Sequence, residues 1–464
     1  MSAHEGLVKK EFSSVELAKA CFDAIREKDE ELNAFISLTE DQAYEDAEKV
    51  DKKINKDTKI GSLEGVPIAI KDIICVAGVK ATAGSKMLAN YVAPYDATVI
   101  QKLKKAGAVI IGKTNMDEFA MGSSGETSHF GPTKNPVDLK RVPGGSSSGS
   151  AAAVAADETI CALGTDTGGS VRCPASFCGI VGFKPSYGRH SRHGIMPMAS
   201  SFDQVGTLTK TVRDSAILFE AMAGKDPFDP TTSDKKVKVA EEIGKDIAGM
   251  KIGVPAEYFA EGLDEGVSAV IKEAIAKLEK RGATIVDISL PRIKYALNVY
   301  YILMAAEASS NLARLDGVRF GYRADAENLQ EMYLKTRRDG FGDEVRRRIM
   351  LGTFVLSSGY YDAYYKKACQ ARRLIREDFD RAFEVVDCLI SPTMPTTAFK
   401  LGEKFNDPMA MYLADIYTVS ANVAGIPAIV VPAGSAKKLP VGAQLMTKAF
   451  EEAKLFRVAG ALEQ

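Results

Sequence analysis

The chain has no tryptophan, and its four histidines (His4, His129, His190 and His193) are scattered along it. They include no ligand-spaced partner set, which argues against a resident metal centre. Seven cysteines (Cys21, Cys75, Cys161, Cys173, Cys178, Cys369 and Cys388) form an odd set without a C-x-x-C pair. They read as reduced thiols of a cytoplasmic protein and not as a disulfide framework. A charge excess is missing too, with 60 Lys plus Arg against 61 Asp plus Glu. A chain so balanced has no general basic field for gripping nucleic acid, so RNA contacts would belong mainly to another chain. No apolar run approaches the roughly 18–20 residues that span a bilayer, and the opening MSAHEGLVKKEFSSVE lacks a signal-peptide core. No membrane association is expected.

What is present suits a folded globular protein: 464 residues, 46% hydrophobic and 26% charged. Ser13 followed by Glu16 forms a capping box, and Val15, Ala18, Phe22 and Ile25 fall on one face of the helix it opens. Strand-like runs at 66–70 and 109–111 flank a helical stretch that opens at Asp96. The segment 224–246, rich in Asp, Lys, Pro and Thr, reads as a surface connection. KIGVP and ATIVDISL then look like strands around an amphipathic helix at 267–281. A long helical stretch from about 295 to 385 follows. Strand signals return at 388–390, at 428–431 and in GAQLM. This alternation predicts an α/β fold with a mixed central β-sheet covered by helices on both faces.

Two short motifs invite a wrong reading. GAVIIGKT at 107–114 matches a phosphate loop, but its apolar, largely β-branched centre favours a strand. GSSSG at 145–149 matches a nucleophile elbow centred on Ser147, yet the preceding LKRVPG reads as loop where that elbow needs a strand. Nucleotide binding and a histidine-dependent hydrolase are both set aside.

The remaining signal is acyl-transfer chemistry. A serine hydroxyl needs a base to accept its proton during attack, and a lysine serves only when held neutral. Lys71, at the end of the apolar run VPIAIKDI, is placed for burial and is the candidate base. In DTGGS the glycines let successive N–H groups of Thr167, Gly168 and Gly169 converge beside Ser170, as a developing oxyanion requires.

Lys71 in GVPIAIKD, Ser146 in PGGSSSGSAAAVA and Ser170 in GTDTGGSVRCPASFCGIVGFKP together resemble the amidase signature family. The likeness runs nearly continuously over about 63–206. It departs from the common pattern at Ser148, Val171 and Cys173. The resemblance implies that the whole chain, 1–464, is one large amidase domain whose helical excursion at about 295–385 rejoins the same sheet. It implies a triad in which Ser170 attacks, Ser146, preceded by a cis peptide, relays the proton, and Lys71 is base and then acid.

NVYYILMAAEASSNLARLDGVRFGYR, FGDEVRRRIMLGTFVLSSGYYDAYYKKACQARRLI and MYLADIYTVSANVAGIPAIVVP are similar to the glutaminase subunits of tRNA-dependent amidotransferases within that family. For glutamine, this likeness implies Asp415 on the α-ammonium and Arg348 on the α-carboxylate, with Arg347 the alternative in the run Arg346–Arg347–Arg348. Gly122 and Ser123 would line the pocket floor. No cofactor is implied in this chain. ATP and Mg2+ would act in a partner B subunit that receives ammonia and amidates Glu-tRNA(Gln), with a small C subunit completing a heterotrimer. A stand-alone amidase for small amides and a catalytically silent scaffold are the competing readings.

Overall fold

Eleven strands form one sheet in the computed structural model, which describes residues 2–464. They are β1 (Phe35–Leu38), β2 (Pro67–Lys71), β3 (Val109–Thr114), β4 (Cys161–Asp166), β5 (Val181–Lys184), β6 (Gln204–Thr209), β7 (Lys251–Pro255), β8 (Thr284–Ile288), β9 (Cys388–Pro392), β10 (Ala428–Ala436) and β11 (Leu439–Met446). Their spatial order is β1-β3-β2-β4-β6-β5-β10-β11-β9-β7-β8. The sheet is mixed. β2 runs parallel to β3 and β4, and β7 runs parallel to β8 and β9, while β4, β6, β5, β10, β11 and β9 pair antiparallel in turn.

Strands β2, β3 and β4 are buried along their full length, so alternate residues feed two separate cores. Ile68, Ile70 and Leu163 face one core with Val299, Met304 and Phe379 from the helices Ala296–Asn311 and Lys367–Val385. Ala69, Ile111 and Ala162 face the other with Phe22 and Ile25 of the helix Ser14–Leu32 and with the alanines of Ser148–Ala155. Helices therefore cover both faces. The GAVIIGKT segment is β3, a buried strand and not a phosphate cradle. Its Lys113 lies 3.2 Å from Asp72 and donates to Lys80 O at 3.1 Å.

The Ser13–Glu16 capping box is formed, with Glu16 N donating to Ser13 Oγ and Ser13 N to Glu16 Oε2. The α-helix between β2 and β3 starts at Thr98, not at Asp96, whose carboxylate instead accepts from Ala77 N and pairs with Lys104. Nor is the stretch 295–385 continuous. It breaks into Ala296–Asn311, Leu329–Gly340, Asp343–Leu356 and Lys367–Val385, with a loop in which Gly317 and Gly321 adopt positive φ. After these helices the chain returns as β9, between β11 and β7. Among the described residues no helix is long and apolar enough to cross a membrane.

Candidate active site

Lys71 is the last residue of β2 and is fully buried. Its Nζ lies 2.8 Å from Ser146 Oγ, 2.9 Å from Ser147 Oγ and 2.9 Å from Thr165 Oγ1. Three hydroxyls suit a neutral amine, which donates twice and accepts once, as well as they suit an ammonium. Burial decides between them. It pulls Lys71 down to about 7, against the opposing pull of the Asp117, Asp166 and Asp203 charges.

Ser146 follows a cis Gly145–Ser146 peptide. Position 145 has room for glycine alone, because a Cβ there would lie 2.0 Å from Asp117 Oδ2. Asp117 donates its N–H to Ser146 O, and its carboxylate is held by the N–H groups of Gly125 and Thr127 and the Thr127 hydroxyl. Ser147, the centre of the false elbow motif, braces the site. Its Oγ contacts Lys71, donates to Thr165 O and accepts from Thr165 N, and its N–H donates to Ser170 O. Sequence reasoning missed this bracing role because GSSSG offers three consecutive serines with no local cue to separate them.

Ser170 is the one residue of the expected triad with any exposure, 7% against 0% for Lys71 and Ser146. Its hydroxyl makes no hydrogen bond to Ser146 Oγ, so the structure joins Lys71 to Ser146 directly and holds Ser170 beside them through its backbone. The loop before Ser170 is fixed from outside. Thr167 Oγ1 donates to Asp203, and Thr418 Oγ1 donates to Gly168 O at 2.6 Å. Among the described residues the N–H groups of Thr167, Gly168 and Gly169 donate to no other group, so they remain available to a ligand. A Cβ at Gly168 would strike Tyr300, and one at Gly169 would strike Thr418.

Behind the loop lies a network that the sequence reading did not anticipate. The fully buried Arg172 makes a two-point contact with Asp166 at 3.0 and 2.9 Å and also donates to Thr418 O, Gln444 Oε1 and Asn422 Oδ1. Burial alone would raise the Asp166 carboxyl, but the Arg172 charge and hydrogen bonds win and hold it at about 2. Asp166, as carboxylate, then accepts from Val171 N, next to Ser170.

A second pole is built from distant segments. Asp415 is buried, accepting from Ser123 Oγ and from Tyr301 Oη, each at 2.7 Å. Burial lifts its carboxyl to about 6 despite those bonds and the Arg348 charge. Arg348 is 3% exposed, donates through Nε to Glu344 at 2.7 Å and lies over the rings of Tyr301 and Tyr412. Arg347 on the same helix faces outward with 47% of its side chain exposed. Of the two candidate arginines Arg348 is the buried one, although both line the same cavity. Gly122 has no space for a side chain beside Asp117. The two poles are physically tied: Thr418, whose Oγ1 donates to Gly168 O, also reaches Asp415 O through both its N–H and its Oγ1. A cavity of about 390 Å³ opens at Gly122, Arg348 and Tyr412. Among the described residues no group of three His, Cys, Asp or Glu is placed to hold a metal ion.

A mixed sheet with this hydroxyl–lysine site on its strand ends defines an amidase, and a protein-family model described as Amidase matches residues 16–456: the chain belongs to that family. Within it, the chain is 55% identical over 462 residues to the A subunit of glutamyl-tRNA(Gln) amidotransferase from Carboxydothermus hydrogenoformans, covering 99% of this chain and 95% of that protein. The crystal structure of the subunit of the same name from Thermotoga maritima superposes with a TM-score of 0.82 at 45% identity, covering 97% of this chain and 91% of that one. A native peptide amidase from Stenotrophomonas maltophilia reaches 0.84 at 30% identity, over 99% and 95% of the two chains. The fold is thus shared across the family. The higher identity lies with the amidotransferase subunits.

Proposed function

We propose that the chain is the glutamine-hydrolysing subunit of a tRNA-dependent amidotransferase, a carbon–nitrogen ligase with glutamine as amide donor. The observation that carries this reading is the 55% identity to the A subunit of such an amidotransferase over nearly the full length of both chains. The pocket is consistent with it: glutamine has an ammonium and a carboxylate at one end, and Asp415 and Arg348 offer one buried partner for each. In this reading the chain is one amidase domain. Ser170 Oγ attacks the side-chain carbonyl of glutamine, its proton passes to Ser146, and the Ser146 proton passes to Lys71. The oxyanion accepts hydrogen bonds from the N–H groups of Thr167, Gly168 and Gly169. When the tetrahedral adduct collapses, Lys71 returns its proton through Ser146 to the departing ammonia and a glutamyl ester remains on Ser170. Water, deprotonated by the same relay, then releases glutamate. Gly122 and Ser123 shape the floor.

The ammonia serves a partner B subunit that binds Glu-tRNA(Gln) and uses ATP and Mg2+, with a C subunit completing the heterotrimer in the cytoplasm. Ser170→Ala tests the assignment. It is expected to lower glutamine hydrolysis by about four orders of magnitude, while amidation by the reconstituted complex supplied with ammonium stays near the parent rate. Undiminished glutamine hydrolysis would remove Ser170 from its role.

A further inference from the structure

Resting on the reading of this pocket as a glutamine site, we infer that Glu344 is a positioning residue for Arg348 and that Tyr412 completes the specificity wall they form. A guanidinium carries five donors, and burying it is costly unless they are used. In Arg348 the Nε donor is used by Glu344 Oε1 at 2.7 Å. Nη1 faces only the weak acceptor Met304 Sδ at 3.7 Å, and Nη2 donates to nothing among the described residues. One edge of the fork is held, and the other is left for a carboxylate.

Glu344 holds more than the arginine. Its Oε1 also accepts from Tyr412 Oη at 2.9 Å, and Tyr412 comes from a different segment, the helix Pro408–Leu413. The Tyr412 ring stacks on Tyr301, centroids 4.2 Å apart, and the Arg348 guanidinium lies 5.4 Å from the Tyr301 ring and 5.5 Å from that of Tyr412. Tyr301 in turn donates to Asp415. Glu344 therefore closes a chain of contacts joining the group that would read the carboxylate to the group that would read the ammonium. Glu344, Arg348 and Tyr412 all line the 390 Å³ cavity.

Charge and geometry predict opposite signs at Glu344. As a charge, it repels an incoming carboxylate, and its removal would tighten binding. As a positioning group, its removal frees the guanidinium to turn, and binding weakens.

The test is titration calorimetry of L-glutamine into the full chain carrying Ser170→Ala, which binds without turning over. Adding Glu344→Ala is expected to weaken binding about tenfold. Glu344→Gln, which keeps the Oε1 acceptor and loses the charge, is expected to stay within about threefold of the parent. Tyr412→Phe, which loses one hydrogen bond to Glu344, is also expected to weaken binding about threefold. Unchanged or tighter binding in Glu344→Ala overturns the inference, as does a Gln variant no better than Ala. Should Glu344→Ala not melt cooperatively, the Gln and Phe variants carry the test, and a Tyr412→Phe chain that binds like the parent overturns it. A Ser170→Ala chain that binds no glutamine at all brings down the glutamine reading itself, whereas normal binding insensitive to Glu344 brings down this inference alone.

Discussion

Lys71 and Arg348 are two buried cations, and the protein treats them in opposite ways. Around Lys71 stand three neutral hydroxyls, with carboxylates acting only from farther away, and the amine falls to about 7. Arg348 is just as enclosed, but Glu344 touches it and two tyrosine rings flank it, and its guanidinium is held more firmly charged than usual although burial opposes this. Burial opposes the charge in both. It prevails at Lys71, where no carboxylate is in contact, and is outweighed at Arg348, where Glu344 is. A base needs the first arrangement, and a carboxylate receptor needs the second.

Placing a permanently charged group at position 71 breaks the contrast most severely. Lys71→Arg fills a similar volume, but a guanidinium does not surrender its proton in this pH range. The expected result is a fall in kcat of about three to four orders of magnitude, with glutamine affinity changed by no more than about threefold. Steady-state kinetics together with glutamine titration separates the two. Retained turnover would show that the lysine is not the base.

pH sharpens the same contrast more gently. Lys71 acts when neutral, so kcat/KM for glutamine is expected to fall roughly tenfold for each unit below about 7. Asp415 must be ionised to meet an ammonium and is lifted to about 6, so below that value a second proton is taken up and the slope steepens toward a hundredfold per unit. Arg348 adds no step. A profile that stays flat from about 8 down to about 5.5 would contradict both assignments.

How far this could be read beforehand differs between the two poles for a physical reason. Lys71, Ser146 and the loop 166–170 sit at strand ends or in glycine-shaped turns, where backbone geometry restricts the residues that fit, so local sequence carries them. The role of Ser147 is hidden because only the cis turn after Gly145 distinguishes three adjacent serines. The pairing of Asp166 with Arg172 is hidden because it depends on Asn422 and Gln444, contributed by the far end of the chain. The group around Asp415 draws on residue 123, the helices at 301 and 348, and the turn at 415, so no local stretch carries it, and only the family likeness pointed to Ser123, Arg348 and Asp415. One clue was available. In Asp343–Leu356 the buried positions are Val345, Arg348, Gly352 and Val355, a helical spacing that turns Arg348 inward and Arg347 out. In the sheet, β1, β4, β5 and β6 carry no clear strand signal. CALGTD and QVGTLT are short and each is interrupted by Gly, the first also by Asp, and it is tertiary burial that makes them strands.

Glu158 extends the comparison to a buried group with no partner at all. It follows the helix Ser148–Ala155, is fully buried, and neither carboxyl oxygen has a hydrogen bond among the described residues. Burial first, and the nearby Asp29 charge second, raise it to about 9, against a pull from Lys28. Its folded value lies above its unfolded one of 4.5, so between these values the folded chain keeps a proton that the unfolded chain releases. Stability from this group is therefore full below about 4.5 and drains as pH rises toward 9. Glu158→Gln removes the drain while keeping the shape. Its melting temperature relative to the parent is expected to climb between about pH 6 and pH 8, by the equivalent of up to about 3 kcal/mol, with glutamine hydrolysis unchanged. An offset that is constant with pH would mean that Glu158 is ionised in place, and that an interior carboxylate without a partner is tolerated here where Lys71 and Arg348 each required theirs.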